Sequence, residues 1–126
     1  DSVIETTPSI GPVTGTTILS KIGDIHKFSN PKKLVTYAGI DTSVSQSGQF
    51  DASHNVMSKR GSPYLRKTLF QAALVASRSD PVLKAFYKKK RSEGKHHLTS
   101  VGAVSRKICY IIRAIVTKNE PYEIRQ

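Results

Sequence analysis

Ser47 stands beside Gly48 in a polar, serine-rich stretch. The stretch runs through Lys59, Arg60 and Gly61 into a helix whose first turns carry Arg66 and Lys67. A hydroxyl nucleophile near guanidinium and ammonium groups is the set that attack on a phosphodiester requires. The cations neutralise phosphate oxygens, and serine can become covalently linked to phosphorus. The same stretch also reads as a basic loop that binds a polyanion, with Ser47 as a turn residue. His54 is the only imidazole between residues 41 and 61, and no Ser/His/Asp arrangement is recognisable around Ser47.

Three further groups bear on chemistry. Gly11, in Ile10-Gly11-Pro12-Val13-Thr14-Gly15, opens a helix with free backbone N–H groups that suit a phosphate. Preceded by another helix it would form a helix-hairpin-helix, and alone it is a plain packing turn. Lys88, Lys89, Lys90 and Arg91, continued by Lys95, His96 and His97, are either a solvated helix end or a phosphate-contacting surface. Arg106, Lys107 and Arg113 would extend that basic stripe, or form the solvent face of an amphipathic helix. Tyr64, Phe70, Phe86 and Tyr87 can stack on bases when interleaved with cations, but their helical spacing with leucines favours the core. The histidines His26, His54, His96 and His97 show no metal-ligand spacing, so no metal site is expected in this chain. Cys109, the single cysteine, sits in an apolar run and reads as a small buried hydrophobe.

The chain has 126 residues, one domain's worth. Lys and Arg number 20 against 9 Asp and Glu, a formal net charge of +11. That surplus points to a polyanion partner, nucleic acid before an anionic membrane surface. No apolar run approaches the ~20 residues of a membrane span. One cysteine excludes an internal disulfide and suits a reducing cytoplasm. The first residue is Asp1 rather than Met, so the chain reads as a piece of a longer protein.

Prolines and glycines divide these residues into elements. Pro12 opens a helix with Val13, Ile18, Leu19 and Ile22 apolar, closed by Gly23. Asn30-Pro31, Ser62-Pro63 and Asp80-Pro81 each place a cap before a proline at the first helical position. The helices they start carry Leu34, Val35, Tyr37 and Ala38 up to Gly39; Leu65, Leu69, Ala72, Ala73 and Ala76; and Val82, Leu83, Phe86 and Tyr87 up to Gly94. A last helix is expected from about Thr99 to Lys118, with Val101, Val104, Ile108, Ile111, Ile112 and Ile115 on its apolar face. The fold class is therefore all-α: about five helices, a helix-hairpin-helix-like start, and one long polar loop at 41–61 with room for a short β-hairpin at Gly48. Such long connections are usually functional or mobile. The domain is expected over 1–118, with 119–126 a frayed tail.

In order and spacing these motifs resemble the C-terminal domain of insertion-sequence transposases of the IS110, IS116 and IS902 class, a domain shared with Piv-type site-specific DNA invertases. The resemblance covers nearly the whole chain. It rests on Ile10 to Thr14, on Leu34-Val35-Thr36-Tyr37-Ala38-Gly39-Ile40-Asp41, and on Ser47-Gly48. It continues through Ser58 to Lys67 with Ala72-Ala73, and through Asp80-Pro81 with Phe86-Tyr87. Two positions depart from the pattern: Thr42 replaces a proline, and Ser9 replaces the first hairpin glycine.

The resemblance implies a two-part recombinase. A RuvC-like N-terminal domain, outside this chain, would supply a DEDD set of carboxylates for divalent metal, Mg by expectation. This chain would supply Ser47, which attacks DNA to form a phosphoserine link. Lys59, Arg60, Arg66 and Lys67 would position phosphate, and the chain alone would cleave nothing. DNA is the implied partner, with a guide (bridge) RNA as a second and homo-oligomers as the working state; no membrane is involved. The implied location is the prokaryotic cytoplasm, at the nucleoid. Two alternatives stay open: a non-catalytic helical nucleic-acid-binding module, and a basic scaffold that dimerises through its last helix.

Overall fold

A computed structural model describes residues 3–40 and 63–122. Among them are five α-helices and no strand: α1 (Pro12–Ile22), α2 (Pro31–Ala38), α3 (Pro63–Ser79), α4 (Pro81–Ser92) and α5 (His97–Lys118). Two short 3-10 helices, Ile4–Thr6 and Ile25–Lys27, precede α1 and α2. The expected all-α class is what the structure shows. The hairpin expected at Gly48 lies outside the described residues.

The helix starts follow from capping. The side chain of Asn30 accepts from the backbone N–H of Lys33 at 3.0 Å, and that of Asp80 from Leu83 at 2.9 Å. Each is followed by a proline whose missing N–H costs nothing at the first helical position. The last helix begins at His97, two residues before the expected Thr99, because the His96 ring caps it: Nδ1 accepts from the Leu98 N–H at 3.1 Å. Gly39 ends α2 at φ 78°, with the Ile40 N–H donating back to the Val35 carbonyl. Gly94 (φ 89°) follows α4 in the same left-handed region, with the Lys95 N–H donating to Lys90.

Helix α5 is the axis of the bundle, about 33 Å long at ~1.5 Å per residue. It packs against α3, α2 and α4, while α1 lies on α3. Leu65, Leu69, Ala73 and Ala76 of α3 and Val101, Val104, Ile108 and Ile112 of α5 are essentially inaccessible. Small residues allow close approach: Ser77, Ser100 and Ser105 are buried too, each hydroxyl donating to a backbone carbonyl three or four residues earlier. Each fully buried Leu or Ile contributes about 1.5–3 kcal/mol relative to exposure. Val13, expected on an apolar helical face, is instead 81% exposed at the start of α1.

The two ends of the described chain meet. The backbone N–H of Tyr122 donates to Thr6 Oγ1 at 2.7 Å. The element before α1 is a single 3-10 turn, reversed at Ser9, whose φ of 70° is rare for a residue with a side chain.

Candidate nucleic-acid interface

Ser47, Lys59, Arg60 and Gly61, all expected at the site, lie outside the described residues. The flanks of that segment are described. The chain leaves at Ile40 and returns at Pro63, and the two flanks pack together. A methyl built on Gly39 would come within 2.8 Å of Arg66 Nη1, so the guanidinium lies directly against the end of α2. Arg106 Nη1 donates to the Ile40 carbonyl at 3.1 Å. Two guanidiniums thus sit at the C-terminal end of α2, where the helix dipole favours positive charge. Lys67, on the next position of α3, is exposed.

Gly11 caps α1 in an extended conformation (φ −93°), with no side chain over the free N–H groups. A Cβ there would meet nothing within 4 Å, so packing within the chain does not demand glycine, and the backbone is open to approach. The basic run at the end of α4 divides. Lys88 and Lys89 are exposed. Lys90 Nζ lies 3.8 Å from Glu93 Oε1 and 5.2 Å from the centre of the Phe86 ring. Arg91 Nη1 donates to the Lys95 carbonyl at 2.8 Å, closing the helix end.

Two expectations are corrected. Tyr64 is 67% exposed rather than core, its ring lying under the ammonium of Lys21 at 4.9 Å. It occupies the outward side of the first turn of α3, whose inward position is the buried Leu65. Arg113 does not join a free basic stripe: Nε donates to the Phe28 carbonyl at 3.2 Å and Nη2 to the Ser29 carbonyl at 3.1 Å, tying α5 to the chain before α2. Phe70, Phe86 and Tyr87 are half-buried against the core. Cys109 is fully buried as expected, and burial pushes its thiol up to about 12. Among the described residues no three His, Cys, Asp or Glu side chains gather. No helix there is long and apolar enough to cross a membrane.

A feature that sequence reading missed lies where α2 and α4 flank α5. A groove of about 380 Å³ is walled by Lys32 and Val35 of α2, Phe86 and Lys90 of α4, and Ala103, Arg106, Lys107 and Tyr110 of α5. Half its lining residues are cationic, and no carboxylate lines it among the described residues. The sequence signal was present as spacing: 103, 106, 107 and 110 share one face of α5, and 86 and 90 one face of α4.

The family model described as Transposase IS116/IS110/IS902 family matches residues 1–88. The pilin gene-inverting protein of Moraxella bovis is 31% identical over 125 residues, covering 98% of this chain and 39% of that protein. A 42 kDa protein of insertion element IS900 from Mycobacterium paratuberculosis is 31% identical over 124 residues, covering 95% of this chain and 30% of the relative. The transposase for insertion sequence element IS1111A of Coxiella burnetii is 27% identical over 124 residues, covering 94% and 33%. The chain spans less than two-fifths of the length of each of these curated relatives. With a family match over more than half its length, this chain belongs to the IS116/IS110/IS902 transposase family.

Proposed function

We propose that this chain is the DNA-contacting, nucleophile-bearing C-terminal part of a transposase or site-specific recombinase. In this reading Ser47 attacks a DNA phosphodiester. A bond forms between Ser47 Oγ and phosphorus, the bond from phosphorus to the departing sugar oxygen breaks, and the serine proton leaves to a base. The observation that carries the reading is the pair Arg66 and Arg106 at the point where the Ser47 segment leaves α2, within a chain whose family match spans that segment. Cations placed there would stabilise the charge that develops on a pentavalent phosphate. Arg60, Lys59 and Lys67 would add to that field, and Gly11 with Lys88 to Arg91 would hold the backbone further out.

The described residues do not fit a catalytic metal, since no ligand set gathers among them. A divalent metal such as Mg is assigned to a RuvC-like N-terminal domain with DEDD carboxylates, and no step here is routed through it. A guide RNA, homo-oligomeric assembly and action at the bacterial nucleoid belong to the same proposal.

Replacing Ser47 by Ala in the full-length protein tests it. A nicked substrate that traps covalent intermediates should yield a protein–DNA adduct with the parent and none with Ser47→Ala. An undiminished adduct would remove Ser47 as nucleophile and leave a non-catalytic nucleic-acid-binding module. Affinity for DNA should also fall with salt, at a slope of about −0.9 per phosphate contact.

A further inference from the structure

The groove between α2, α4 and α5 combines two chemistries that a duplex backbone alone would not use together. Its rim carries ammonium and guanidinium groups. Its interior is apolar and aromatic, built from the buried Val35 and Ala103 and from Phe86 and Tyr110. Lys107 lies 4.8 Å and Lys90 5.2 Å from the centre of the same Phe86 ring, so two like charges are held around one aromatic. Glu93 relieves only Lys90. Tyr110 is 48% exposed and, among the described residues, makes no ring contact and no hydrogen bond. A half-exposed aromatic beside Lys32 and Lys107, which pair with no carboxylate among the described residues, suits a flat, electron-rich ring carrying a phosphate.

We infer that this groove is a subsite for one unpaired nucleotide of a single strand. The base stacks on Tyr110 near Phe86, and the phosphates on either side of it are held by Lys32 and Lys107. The volume, about 380 Å³, is that of a pocket for one small ring system rather than a channel for a duplex. A paired base has both faces covered by its neighbours and cannot offer one to Tyr110. Lys89, one turn after Phe86 on α4, is exposed and adds a cation beside the groove, which favours a polynucleotide over a free nucleotide. Arg106 joins this groove to the root of the Ser47 segment through the Ile40 carbonyl. The subsite would therefore hold an opened strand near the point where the chain leaves α2. The inference shares with the proposed function only its partner, nucleic acid, and does not depend on Ser47.

The test uses the full-length protein and fluorescence anisotropy with a short labelled oligothymidylate, the matching duplex, and an abasic strand of equal charge. Tyr110→Ala should weaken oligothymidylate binding by about 5- to 150-fold, the range of one base–aromatic stack. It should leave duplex and abasic-strand binding unchanged, and Tyr110→Phe should bind like the parent. Lys107→Gln should lower the salt slope for oligothymidylate by about 0.7, the value of one phosphate contact on a single strand. Photo-crosslinking of the parent to an oligonucleotide carrying 5-iodouracil should label Tyr110 or Phe86, a readout independent of how the variants fold. Unchanged oligothymidylate binding by Tyr110→Ala would overturn the inference, as would an equal loss on duplex. So would displacement of the strand by thymidine monophosphate at equal concentration, or a crosslink confined to other residues. Loss of the Ser47 adduct moves none of these readings, so failure of either proposal is visible separately.

Discussion

Replacing Ser9 by Gly should stabilise this chain, and the reason lies in one turn. Ser9 holds φ at 70°, where the Cβ of an L-residue crowds the following carbonyl at about 1–2 kcal/mol. Its Oγ is also buried without a hydrogen-bond partner, a loss of about 1–3 kcal/mol for a fully desolvated hydroxyl. The residue as a whole is only half-buried, so the low end of that range applies. Glycine removes both costs, and its greater freedom in the unfolded chain returns about 0.4–1 kcal/mol. The net gain is about 1–2 kcal/mol, or roughly 4–8 °C in melting temperature for a domain of this size. Thermal unfolding followed by circular dichroism reads it directly. Ser9→Ala separates the two effects: it drops the hydroxyl but keeps the strained φ, and should recover about half the gain. A Ser9→Gly chain that melts at or below the parent would refute the reasoning. The turn at Ser9 thus holds a backbone conformation that glycine adopts without strain.

Gly15→Ala should destabilise despite alanine's better helix propensity. Its new methyl would lie 2.9 Å from Cγ2 of the buried Ile4, a cost of about 1–3 kcal/mol against a helical gain of about 1; urea denaturation measures the balance, and Ile4→Leu should relieve it. Asp80→Ala should lose about 1 kcal/mol by uncapping α4, with Asp80→Asn close to the parent in the same assay. Cys109 should resist a thiol reagent such as DTNB at pH 8 until the chain unfolds. Its folded value of about 12 stands above the ordinary 9.0, so the unfolded state ionises first, and stability should fall as pH rises from 9 toward 12.

Four of the five helix starts were legible because each combines a proline with a preceding glycine, serine or acid-amide cap, a signal carried by two adjacent residues. The start of α5 was not, because an imidazole seldom caps a helix and the periodic pattern alone suggested Thr99. The core was legible wherever apolar residues recur on one helical face, as from Leu65 to Ala76. Val13 and Tyr64 differ from expectation for a shared reason: each lies on the outward side of a first turn whose buried position is another residue, Gly15 or Leu65, and an apolar type alone does not say which side of a turn meets a neighbour. The basic cluster was legible as charge, yet which cations serve the chain itself was not. Arg91 and Arg113 close backbone carbonyls, whereas Lys88 and Lys89 remain exposed, and only packing separates those roles. The groove needed three helices set at their mutual angles, so its spacing signal on α5 carried no meaning alone. The Ser47 motif is legible as sequence, and its arrangement lies outside the described residues.

The bond between Thr6 and Tyr122 makes the two ends of the described residues neighbours. A further domain fused to either end would hang from the same pole of the bundle. Ligating the two ends through a short linker would ask little of the helices, so a circular permutant opened elsewhere should keep its shape. Such a molecule would let a tag or a fused partner be moved to another face without passing over the basic surface.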